Sequence, residues 1–67
     1  MNPYEIKKLN VYFKRMFGSG IDIKPRVNQT DSVEVFINSE FIGLIYKDDE
    51  DGEISYNFSM SILNDDL

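Results

Sequence analysis

Five carboxylates fall within six consecutive residues, Asp48-Asp49-Glu50-Asp51-Gly52-Glu53, the densest run of chemically capable side chains in the sequence. Acidic residues at alternate positions before a glycine are how a calcium loop surrounds its ion with oxygen ligands. Aligned on such a loop, Asp49, Asp51 and Gly52 take the third, fifth and sixth positions and Ile54 the eighth. Lys47 then falls on the first position and Phe58 on the twelfth, where a bidentate Glu belongs, and the flanks read as strands rather than helices. A hairpin loop charged for solubility, turning at Asp51-Gly52, accounts for the same residues with fewer demands. A divalent-cation response through Asp49, Asp51 and Glu53 stands as an alternative. Paired carboxylates can also share acid and base roles, but nothing apolar flanks these to raise a pKa or exclude water.

The basic residues gather elsewhere. Residues 1–27 hold six cations against Glu5 and Asp22, a balance of +4, whereas residues 28–67 hold Lys47 against ten acids, a balance of −9. Lys7, Lys8, Lys14 and Arg15 share a helical stretch with Tyr4 and Val11, away from its apolar stripe. Such a face suits an acidic protein, a phosphate backbone or a membrane surface, or simply water, with the lysine stems lying along the helix. It also complements the acidic half of a second copy. A nucleic-acid accessory role through these four cations is a further alternative. The net charge of −5 argues against general nucleic-acid binding, which depends on neutralising phosphates.

The residue types that are missing exclude more. The chain has no Cys and no His, which removes disulfides, thiolate zinc sites, Ser–His pairs and histidine proton shuttles. A chain of 67 residues also has little material for a cleft besides a core. No catalytic residue, cofactor, metal or small-molecule substrate is therefore assigned, and the expectation is a non-enzymatic protein.

The elements that carry these residues are legible from period and punctuation. Asn2 followed by Pro3 and Glu5 has the form of a capping box opening a helix. Ile6, Leu9, Phe13, Met16 and Phe17 supply one apolar face, and Gly18-Ser19-Gly20 ends it, which predicts a helix over 3–17. Ile21, Ile23 and Val27 then alternate with polar residues, and Pro25 places this strand at a sheet edge. Residues 28–32 read as a polar connection. Strands follow over 33–37 and 41–46, joined by a turn at Asn38-Ser39, and then a loop over 47–53. The last strand alternates Ile54, Tyr56, Phe58, Met60 and Ile62 with polar residues, and 64–67 reads as an acidic tail.

Pairing across these turns sets Val35 opposite Ile42, Leu44 opposite Tyr56 and Ile42 opposite Phe58, all on one face. The expected fold is α+β, one domain over 1–67, with the N-terminal helix packed on one face of a four-stranded antiparallel meander. That register leaves Phe36, Phe41 and Ile45 on the opposite, uncovered face. Large apolar side chains held there in water imply a contact surface, so the expected function is a protein-interaction or self-associating module anchored by these three residues. A homodimer is its simplest form.

Asn2-Pro3, Ile6-Lys7-Lys8-Leu9, Glu40-Phe41-Ile42-Gly43, Asp48-Asp49-Glu50-Asp51-Gly52-Glu53 and Ser55-Tyr56-Asn57-Phe58 together resemble a set of short alphaproteobacterial proteins that form a domain of unknown function. The likeness covers nearly the whole chain. It implies a stand-alone bacterial cytoplasmic protein and carries no activity, cofactor or catalytic residue. The lack of a signal-like N-terminus and of a long apolar run points to the same cytoplasmic location.

Overall fold

In a computed structural model that describes residues 1–50 and 52–67, the first element is a helix, α1 (Pro3–Phe17), with the expected bounds. The Glu5 backbone N–H donates to Asn2 Oδ1 at 2.8 Å, and the Asn2 N–H donates to Glu5 Oε1 at 3.2 Å. These two bonds satisfy donors that a helix start otherwise leaves bare. Gly18, at φ +99°, closes the other end by donating to the Lys14 carbonyl at 2.9 Å.

Four strands follow, β1 (Ile21–Arg26), β2 (Gln29–Ile37), β3 (Glu40–Asp48) and β4 (Ser55–Met60), and they lie in the order β1-β2-β3-β4, each antiparallel to the next. A short 3₁₀ turn, Asn64–Asp66, ends the chain. The α+β meander is thus as the sequence predicts. Asn38 and Ser39 both take positive φ, 50° and 71°, the type I′ pattern that matches the twist of a hairpin. Among the described residues, no helix is long and apolar enough to cross a membrane.

The first departure lies between β1 and β2. Val27 and Asn28 form a two-residue turn with Arg26 opposite Gln29, so β2 begins inside the expected connection and Val27 stands out in solvent. Register then slips between Arg26 and Pro25, whose next partner is Val33. Pro25 has no N–H for a regular ladder, which accommodates the irregularity on this outer strand. Ser32 is buried within the slip, and its hydroxyl accepts from Arg26 Nη1 at 2.9 Å.

The second departure changes which residues reach the core. Phe36 faces Phe41 as expected, but Val35 then faces Gly43 instead of Ile42, because β3 carries one extra residue there. Such a bulge reverses the side-chain alternation beyond it. Ile45 therefore points beneath α1, fully buried, while Leu44 and Tyr46 turn to the other face. The expected exposure of Ile45 is corrected. A cause is visible at Gly43, where an added Cβ would sit 2.2 Å from the Ser59 carbonyl oxygen and 3.0 Å from Met60 Cα. The β4 backbone passes where a side chain would be, and glycine alone leaves that room.

The β3–β4 pairing differs by three residues from the expected one: Ile45 faces Phe58 and Lys47 faces Tyr56, since β3 continues to Asp48 before turning. Two odd displacements cancel, so Tyr56, Phe58 and Met60 still lie on the helix side. The core then consists of Leu9 and Phe13 from α1 against Ile21, Ile23, Val33, Val35 and Ile45, with Ile6, Ile37, Ile42 and Phe58 packed at its margin.

Candidate interaction surface

Where α1 rests on the sheet is decided by polar side chains. Asn10 Nδ2 donates to the Ile23 carbonyl at 3.2 Å, and the Ile23 N–H donates to Asn10 Oδ1 at 3.1 Å. Lys14 Nζ donates to the Ile21 carbonyl and lies 3.7 Å from the Asp22 carboxylate. These contacts hold the helix over β1, the outer strand, and occupy backbone groups that a sheet edge leaves unpaired.

One clamp reaches the other way. Lys47 Nζ and the Tyr56 hydroxyl each lie 2.7 Å from Glu5 Oε2, with the Tyr56 hydroxyl donating. The Lys47 ammonium foremost, then the Tyr56 hydroxyl and the Asn2 N–H, hold the Glu5 carboxyl down at about 2. The bond to Glu5 in turn pushes the Lys47 and Tyr56 pKa values up. The cluster joins the helix N-terminus to β3 and β4.

With α1 set toward β1, the helix side of β4 is only partly roofed. Phe13 and Phe58 meet edge to face with ring centres 5.4 Å apart, and Phe17 lies 5.4 Å from Phe13 and 6.5 Å from Phe58. Tyr12 extends the cluster at 6.0 Å from Phe13. The sequence assigns Met16 and Phe17 to the core stripe; instead they are 59% and 55% exposed. Tyr12, Tyr56 and Met60 are exposed as well.

Along this flank runs a groove of about 670 Å³, lined chiefly by Tyr4, Lys8, Val11, Tyr12, Arg15 and Tyr56. Lys8 Nζ stands 5.0 Å from the Tyr4 ring centre, and the Arg15 guanidinium 5.4 Å from that of Tyr12. The floor is aromatic and the rim cationic. Such a surface accepts a ligand that combines apolar groups with negative charge.

The residues singled out by sequence fall into separate places. Phe36 and Phe41 do lie on the open sheet face, 5.8 Å apart and edge to face, with Lys24 Nζ 5.0 Å from the Phe36 ring centre. Phe41 is half exposed, Phe36 less so, and Ile45 lies on the other side of the sheet beneath α1. Of the four helix cations, Lys8, Arg15 and Lys7 border the groove, whereas Lys14 is engaged at β1. Asp49 and Glu53 are exposed in the β3–β4 connection, and Asp51, with the expected Asp51-Gly52 turn, lies outside the described residues. Among the described residues, no group of three or more acidic side chains is gathered to hold a metal ion. The α1–β4 flank itself was not anticipated. It follows from Asn10 and Lys14 holding the helix over β1, whereas Gly43 signals the β3 bulge, since a glycine inside a strand marks a bulge or a close backbone approach.

Fold and surface together define a two-layer α+β domain with one aromatic, cation-rimmed flank. The chain belongs to the family described as a protein of unknown function, DUF3126, which matches residues 5–66. This bears out the resemblance to a domain of unknown function. No curated protein and no solved structure matches the chain.

Proposed function

We propose that the domain is a small non-enzymatic interaction module, which acts by docking with itself or with another protein through the α1–β4 flank. The observation that carries this reading is the groove of about 670 Å³ lined by the exposed Tyr4, Val11, Tyr12 and Tyr56, with the exposed Phe17 packed against Phe13 and Phe58. Apolar side chains gathered on one flank of so small a domain mark a surface that a partner covers, and buried aromatics at such a surface serve as binding anchors. The Phe36–Phe41 pair on the open sheet face is a second, smaller patch of the same kind.

The test compares wild type, Tyr12→Glu and Phe41→Asp by sedimentation and by retention of proteins from a cell extract, with circular dichroism to check folding. Tyr12→Glu is expected to stay folded and lose the association, and Phe41→Asp to weaken it less. A wild type that remains monomeric and retains nothing overturns the reading.

A further inference from the structure

We propose that the groove on α1 receives residues 62–67 of a second copy of this chain, so that two copies exchange these segments and form a closed dimer. The inference rests on the interaction reading above and names its partner.

The segment has the composition that the groove calls for. Ile62, Leu63 and Leu67 are 65%, 64% and 93% exposed, and Asp65 and Asp66 lie between the latter two. The segment is also shaped before it binds. The Asp66 N–H donates to the Leu63 carbonyl at 2.9 Å, the Leu67 N–H to the Asn64 carbonyl at 3.1 Å, and the Leu63 N–H to Asp66 Oδ2 at 3.3 Å. A segment already turned loses less conformational freedom on docking.

Charge selects the pairing. The groove offers Lys7, Lys8 and Arg15 around tyrosine rings, while its Glu5 carboxylate is already paired with Lys47, and the segment offers two carboxylates among aliphatic groups. Two copies at −5 each repel at a distance, so association needs a local match of opposite signs, which this pairing supplies. Exchange closes on itself when the two copies are related by a two-fold axis, each segment then filling the other copy's groove.

The experiment uses two variants of the full chain, Lys8→Glu/Arg15→Glu and Asp65→Lys/Asp66→Lys, studied by sedimentation alone and mixed, with circular dichroism reporting folding. All four side chains are exposed. Wild type is expected to dimerise. Each variant alone places like charges in groove and segment and should weaken dimerisation about tenfold or more; an equimolar mixture restores both matched contacts and should dimerise as wild type does. Leu63→Asp supplies a second probe, expected to be monomeric. A wild type that dimerises while both variants do so undiminished overturns segment exchange and leaves the interaction reading intact. A wild type that is monomeric at millimolar concentration, with its own segment seated in its own groove or not, overturns the exchange as well, and extract retention then decides the broader reading separately.

Discussion

Replacing Gly43 by alanine tests the bulged register directly. In most extended positions this change stabilises by about 0.4–1 kcal/mol, because the unfolded chain loses freedom. At Gly43 the new Cβ would stand 2.2 Å from the Ser59 carbonyl oxygen, where ordinary contact begins near 3.4 Å, and the obstacle is backbone. β4 must move away by more than 1 Å, which disturbs its pairing with β3. Overpacking of this kind costs roughly 1–3 kcal/mol, leaving a net loss of about 1–2 kcal/mol after the entropic gain. A domain of this length has on the order of 3–10 kcal/mol of stability, so the effect is large. It corresponds to a fall in Tm of roughly 5–15 °C. Thermal and urea unfolding followed by circular dichroism measure it. Gly20→Ala is the control, since its Cβ would meet the Asn38 side-chain oxygen at 2.7 Å, and that side chain can rotate aside. If Gly43→Ala matches or exceeds the wild type in stability, Gly43 faces the open side, Val35 pairs with Ile42, and the assignment of Ile45 to the core fails.

Two further outcomes follow from the packing and the clamp. Ile45→Ala, at a fully buried site, should cost about 2–5 kcal/mol, whereas Phe41→Asp on the open face should cost about 1 kcal/mol or less; equal losses in urea unfolding would contradict the placement of the two residues. Glu5, held at about 2 against an ordinary 4.5, adds stability that is complete above pH 4.5 and is lost as the pH falls toward 2. Glu5→Gln should therefore flatten the acid limb of the stability curve across that window, and an unchanged limb would show that the clamp does not form. At the alkaline end the raised Lys47 and Tyr56 values act the other way, adding stability that fades as the pH climbs through them.

Local signals in the sequence carried much of the fold. The capping residues at Asn2 and Glu5, the stripe through Leu9 and Phe13 and the turn at Asn38-Ser39 each act over a few neighbours, and each appears where its chemistry requires. The register of β3 was harder, because alternation from Phe41 to Tyr46 reads equally well on either parity. What separates them is the room β4 demands at Gly43, a contact between residues far apart in the chain. The acidic run reads as loop from Lys47 onward, yet Lys47 and Asp48 remain in β3, with Lys47 drawn in by Glu5. Phe41 lies on the open face in either register because it precedes the bulge. The α1–β4 flank depends on the helix being set over β1 by Asn10 and Lys14, residues whose polarity alone reads as solvated.

Strand-by-strand growth of a sheet needs two receptive margins, one to accept a newcomer and one to hand the process on. Here Asn10 and Lys14 already engage the peptide groups of Ile21 and Ile23, and Pro25 has no hydrogen to offer. A strand arriving beside β4 would therefore find no continuation at the far side of the domain. The β1 margin is thus closed to a further strand by an asparagine, a lysine and a proline.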